Sequence, residues 1–156
     1  MKPYVSHLEC SLTGEVYPAG EVHGLSNAGR PLLVRYDLEA VRAAVGFEEM
    51  LNRKGGFWQF SELLPMAGAG LDLGEVITPL IRLEGLEAGG PLLMKDEGRL
   101  PTGSFKARGL GVAVAMAREL GLTHLAMPTN GNAGAALAAY CARAGLRATV
   151  FCPADT

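Results

Sequence analysis

Leu100-Pro-Thr-Gly-Ser-Phe-Lys-Ala-Arg-Gly109 is the stretch on which the reading of this chain turns. Its turn-prone part, Pro101-Thr102-Gly103-Ser104, leads into a helix expected over 104–120, with Gly121 as the stop. An apolar strand candidate, 91–94, comes shortly before. Lys106 therefore falls just inside a helix start. The first turn of a helix carries partial positive charge and disfavours a second cation. A lysine biased toward its neutral amine is what a Schiff base requires. On the local pattern alone, a solvated lysine at a helix start is the better account of the same residues.

Working outward, the chain from residue 91 repeats a strand-loop-helix pattern. Strands are expected over 92–96, 125–127 and 148–152, and a second, Ala-rich helix over 132–144, stopped by Gly145. Strands alternating with helices imply a parallel sheet with right-handed crossovers. In such sheets the loops at the carboxyl ends of the strands form the ligand crevice. The Lys106 lead-in is one such loop. The second is Pro128-Thr-Asn-Gly-Asn-Ala-Gly134, whose free backbone N–H groups at a helix N-terminus make an anion site. Asn132 reads as an ordinary N-cap by itself. Two phosphate-loop look-alikes fail on spacing. Gly98-Arg-Leu-Pro-Thr-Gly103 lacks the lysine directly after its second glycine, and Gly68, Gly70 and Gly74 lack both the preceding strand and the dinucleotide spacing.

Gly103-Ser-Phe-Lys-Ala-Arg-Gly109, preceded by Pro101-Thr102, resembles the cofactor-lysine motif of the fold-type II pyridoxal-phosphate enzymes, and among them most closely that of the threonine synthases. The 128–134 block resembles the asparagine loop of the same family, one helix and one strand further on. Lesser matches are Trp58-Gln-Phe-Ser-Glu-Leu-Leu-Pro65 and Gly74 to Leu80, although Val76 stands near a position where the family has glycine.

The resemblance implies a role for particular residues. Lys106 forms the Schiff base with pyridoxal 5'-phosphate and, once freed, moves protons at the substrate's α and β carbons. Phe105 packs near the cofactor or is simply core. Asn132 hydrogen-bonds the cofactor's ring oxygen. Thr129, Asn130 and the amides of Gly131, Asn132 and Ala133 hold the substrate's α-carboxylate. The implied reaction converts O-phospho-L-homoserine and water to L-threonine and phosphate. A threonine or serine dehydratase-like lyase is the alternative within the fold, and a non-catalytic segment that needs a second chain is the alternative outside it. Arg108 is expected to pair with Asp96 or Glu97, Lys95 to pair with the same acids or face the site, and His124 and Cys141 to be structural.

The expected organisation has three parts. Residues 1–36 form a small irregular or β-rich module with a short strand at 32–36. Residues 37–73 are a helical linker segment, with Asp37 as N-cap and Gly46 as a kink. Residues 74–156 are the first part of the catalytic α/β domain. In the family the opening region often holds a cysteine knuckle for zinc. Here Cys10 remains while Ser26 and Ala28 stand where partner thiols are expected. Cys10, His7 and His23 supply at most three of the four ligands that tetrahedral zinc needs, so a knuckle without metal is expected. Phe57, Trp58 and Phe60 form an aromatic cluster read as packing between modules.

The totals exclude other classes. With 49% hydrophobic and 19% charged residues and a net charge of −2, nothing points to nucleic acid or an anionic membrane as partner. Three scattered cysteines argue against a disulfide framework and for the cytoplasm. No signal peptide or membrane span is expected. The resemblance further implies a homodimer, and a second half with a glycine-rich phosphate cradle and a partner for the pyridine nitrogen. Neither is found in these residues, so the expectation is the amino-terminal part of a longer enzyme, inactive alone.

Overall fold

The computed structural model describes residues 4–85 and 89–155. Strand β1 (Val5–Cys10) lies between β2 (Val16–Tyr17) and β3 (Leu32–Tyr36), antiparallel to both, with Leu8 opposite Val34 and Cys10 opposite Leu32. Two tight turns, each using a glycine at positive φ (Gly14, 74°; Gly29, 66°), close this sheet at the Cys10 end. The Cys10 thiol, 1% exposed, donates to Ser26 Oγ at 3.0 Å and accepts the Thr13 N–H at 3.4 Å. These hydrogen bonds, Ser26 first, draw the thiol down to about 7. Ser26 Oγ also accepts the Arg30 N–H at 3.1 Å. Ser26 thus meets the thiol, whereas Ala28 is exposed. His7 and His23 go elsewhere, to Ser6 and to the Pro18 carbonyl, so the three sequence candidates do not converge.

Asp37 caps the next helix as its sequence predicts, its Oδ1 accepting the Ala40 N–H at 2.9 Å. The single helical segment expected from 37 divides into α1 (Leu38–Ala44) and α2 (Phe47–Asn52). Val45 and Gly46 are extended between them, and this bend lets Val41, Val45 and Met50 share one small core. A 3-10 segment, Gly56–Leu63, carries the aromatic cluster. Trp58 packs on the main core and Phe60 on the small one, so the cluster joins the two. Gly70 lies flat against the Trp58 indole, where a Cβ would have no room.

The expected strand at 92–96 is present as β5 (Leu92–Lys95), but its partner differs from expectation. It pairs antiparallel with β4 (Leu80–Leu83), from Leu80 opposite Lys95 to Leu83 opposite Leu92, and does not join the later strands. Strands adjacent in sequence pair readily because the short connection brings them alongside first. All four β5 residues are exposed. The parallel arrangement is realised in one unit: β6 (His124–Pro128), helix α4 (Asn132–Ala144) and β7 (Arg147–Phe151), with His124 opposite Arg147 and Pro128 opposite Phe151. Helix α3 (Lys106–Glu119) precedes it, two residues shorter at its start than the sequence suggests.

Helices α3 and α4 pack directly on each other. Gly111 permits this, since a Cβ there would sit 3.2 Å from the Tyr140 ring. Leu71, Leu100, Ala107, Val114, Ala136 and Leu137 fill the surrounding core. Tyr140 is fully buried, and its hydroxyl donates to Glu75 Oε1 at 2.5 Å. Burial, then the Glu75 carboxylate, pushes the phenol up. Among the described residues, no helix is long and apolar enough to cross a membrane.

Candidate active site

Lys106 is the first residue of α3. Phe105 occupies the cap position with helical backbone, and its own side chain makes no cap hydrogen bond. Ser104, 7% exposed, accepts the Lys106 N–H on its Oγ at 3.3 Å. Gly103, at φ 70°, turns the chain into the helix, and its N–H donates to the Leu100 carbonyl at 2.8 Å. Lys106 is half-buried as a residue, and its ammonium lies 4.5 Å from the centre of the Phe105 ring. Among the described residues it forms no ion pair. Phe105 itself is 59% exposed, so of its two sequence readings the core one does not hold. Thr102, in the same lead-in, has a buried hydroxyl without a hydrogen-bond partner among the described residues.

The neighbouring acids and bases are paired off. Arg108 donates to both oxygens of Glu97, through Nε at 2.5 Å and Nη2 at 2.8 Å. Of the two acids offered by the sequence, Glu97 is the partner, and Asp96 takes Arg99 instead at 2.9 Å. Arg108, then Thr78, hold the Glu97 carboxyl at about 2 despite its partial burial. The Lys95 ammonium donates to the Thr78 carbonyl at 3.1 Å and lies 3.8 Å from Glu97. Of the two lysines flanking this loop, Lys95 is engaged, and Lys106 has no anionic partner among the described residues.

The second loop follows β6. The Thr129 N–H donates to the Phe151 carbonyl at 2.9 Å, which ties the loop to β7. Thr129 Oγ1 accepts the Gly131 N–H at 3.3 Å. The cap position of α4 falls on Gly131, not Asn132, and carries no side-chain hydrogen bond. Asn132 is the first helical residue, with Ala133 next. The opening amides of a helix have no partner within it, so this end of α4 presents unpaired donors together with the positive end of the helix dipole. Asn130, Gly131 and Asn132 are exposed, and Thr129 and Ala133 half-buried. Gly134 permits the loop's close fit, because a Cβ there would come within 2.8 Å of Thr129 Cγ2 and 3.0 Å of Val150 Cγ1. Thr129 to Ala133 are thus one continuous surface, and Phe105 and Lys106 another. Each opens one of two packed helices, and among the described residues no hydrogen bond joins the two groups.

Sequence reasoning left Thr78 without a role. Its hydroxyl, 2% exposed, donates to Glu97 Oε1 at 2.6 Å. Thr78 lies within the Gly74 to Leu80 match, but nothing in a linear pattern connects residue 78 to residue 97. Glu75 was likewise unread, since a carboxylate buried against Tyr140 has no local signature.

The start of α3 thus carries an amine with no ion pair among the described residues, and the start of α4 carries helix-opening amides. Residues 71–156, more than half of the chain, match the family described as pyridoxal-phosphate dependent enzyme. The chain belongs to that family, whose cofactor is pyridoxal phosphate. It is 37% identical to the threonine synthase of Methanocaldococcus jannaschii over 92% of its own length and 37% of that protein's. It is 47% identical to the threonine synthase of Halalkalibacterium halodurans over 67% of its length and 30% of that relative's. A human protein named serine dehydratase-like is 43% identical over 52% of the chain and 25% of that relative. The chain therefore spans 37% of the length of the first of these threonine synthases and 30% of the second.

The residues present fit the cofactor at its aldehyde end. Lys106 offers a primary amine with no competing carboxylate, and the buried hydroxyl of Thr102 lies unpartnered in the same loop.

Proposed function

We propose that this chain forms part of a threonine synthase, in which residues 74–156 begin the catalytic domain and Lys106 bears the cofactor. The observation that carries the reading is Lys106 itself, a half-buried lysine at the start of α3 without an ion pair among the described residues. The similarity to threonine synthases over 92% of the chain supports the particular reaction.

When bound, pyridoxal phosphate supplies the electron sink that makes protons beside the amino group removable. The amine of Lys106 takes and returns protons at the α and β carbons of O-phospho-L-homoserine. Thr129, Asn130 and the amides of Gly131, Asn132 and Ala133 receive the α-carboxylate, since the α4 N-terminus favours an anion. Asn132 orients the cofactor ring. Phosphate leaves from the γ carbon, and water adds at the β carbon to give threonine. Phe105 shields the amine on its exposed side.

The second reading, a dehydratase acting on serine or threonine, draws support from the human relative. Product analysis with the complete enzyme separates the two. Equal amounts of threonine and phosphate from O-phosphohomoserine, lost by more than about 1000-fold in Lys106→Ala, is the expected result. Ammonia from serine or threonine, with no phosphate from phosphohomoserine, would select the dehydratase.

A further inference from the structure

We propose that Glu97 is a positioning residue for Lys106, acting through Arg108 and Thr78; the proposal rests on the reading of Lys106 as the cofactor-bearing lysine. At the start of α3 the Phe105 side chain makes no cap bond, Ser104 Oγ holds the Lys106 backbone N–H at 3.3 Å, and the Lys106 ammonium lies 4.5 Å from the centre of the Phe105 ring. Something else must fix the direction in which the first turn presents its amine. Arg108 belongs to that same turn, and its guanidinium grips both oxygens of Glu97 at 2.5 and 2.8 Å. Such a two-pronged pair fixes orientation as well as distance.

Glu97 is itself anchored. The Thr78 hydroxyl donates to Oε1 at 2.6 Å and accepts from Arg108 Nη2 at 3.2 Å, so one buried hydroxyl bridges acid and base. The Thr78 carbonyl in turn accepts from Lys95 at the end of β5. Four segments therefore meet around one carboxylate: the approach to β4, the end of β5, the 3-10 turn Glu97–Arg99 and the first turn of α3. Asp96 and Arg99 satisfy each other and do not compete for Arg108. Without the carboxylate, Arg108 loses its two shortest bonds and keeps the longer one to Thr78 Oγ1 at 3.2 Å, which does not fix its orientation from two sides.

The test follows the chemistry of the amine directly. The complete enzyme is mixed with pyridoxal 5'-phosphate and treated with borohydride. The lysine amine adds to the aldehyde with loss of water, and borohydride delivers hydride to the new C=N carbon while solvent supplies the nitrogen proton, leaving a stable secondary amine. Peptide mass mapping locates the label among Lys2, Lys54, Lys95 and Lys106. Exposed Lys54 serves as the internal reference. The expected result is labelling of Lys106 in the native chain, slowed about 10-fold relative to Lys54 in Glu97→Gln, with most of the rate regained in Glu97→Asp. Should Glu97→Gln fail to fold, Arg108→Lys keeps the charge, loses the two-pronged grip, and is expected to slow Lys106 equally. An unchanged Lys106-to-Lys54 ratio in a folded variant overturns the positioning role alone. Absence of label on Lys106 in the native chain overturns the reading of Lys106 and this proposal with it.

Discussion

The starts of α3 and α4 solve opposite problems. Helix α3 begins with a cation, and side chains surround it: Ser104 on the backbone, Phe105 on the amine, Glu97 and Thr78 on Arg108. Helix α4 begins without a side chain at its cap position, its loop held by the Thr129 N–H on the Phe151 carbonyl, by the Gly131 N–H on Thr129 Oγ1 and by Gly134 fitting under Thr129. A reactive side chain needs other side chains to aim it. An anion site made of amides needs only that nothing fill the space in front of them and that the loop beneath be tight. The first arrangement is sensitive to charge and the second to volume.

That distinction can be broken by substitution. The largest effect is expected from Gly134→Ala. Its new Cβ meets the stiff methyl groups of Thr129 and Val150, at 2.8 and 3.0 Å, and one of them must move. A loss of about 1–3 kcal/mol in urea unfolding is expected, with weaker substrate binding in the complete enzyme. An unchanged urea midpoint would show that the α4 loop is looser than its geometry implies.

Acid comes next, and it acts on the α3 side. The Glu97 carboxyl ionises near 2 in the folded chain, against an ordinary value of 4.5, because Arg108 favours its charged form. A lowered folded value means that the pair's stabilisation is complete above about 4.5 and drains away as pH falls toward 2. Glu97→Gln, already without this contribution, should show a shallower decline in melting temperature across that window. Parallel curves for the two proteins would remove the charge argument. The smallest effect is a gain. Gly109 lies in α3 with open space around it, so Gly109→Ala should stabilise the helix by about 0.5–1 kcal/mol. A loss there, read by the same urea titration, would mean that volume matters at both helix starts.

Much of this was legible from local rules. The 32–36 strand and the 132–144 helix have the bounds their residues suggest, and Asp37 caps α1 because its side chain reaches the amide three residues on. Local rules fail where a partner must be chosen. The β5 residues announce a strand but not the edge it will take, and the edge taken was that of β4. Arg108 announced a carboxylate partner, but choosing between Asp96 and Glu97 required the 3-10 turn that swings one toward α3 and leaves the other to Arg99. At the candidate site, the lysine and the asparagine loop were readable as motifs, whereas Thr78 and Glu75 owe their roles to contacts across 19 and 65 residues of chain. The shift of the α4 cap to Gly131 is of another kind. Glycine is tolerated at a cap without a side chain, so the cap does not require Asn132.

The three thiols sit at three depths. Cys152, just past β7, is exposed, Cys10 is closed inside the turns of the small sheet, and Cys141 is packed in the main core, where burial pushes its thiol up. Each becomes reachable only when its own surroundings open: none for the first, the sheet turns for the second, the α3–α4 contact for the third. The chain thus carries a graded record of its own breathing, in which the order of thiol modification reports the order in which its parts come undone.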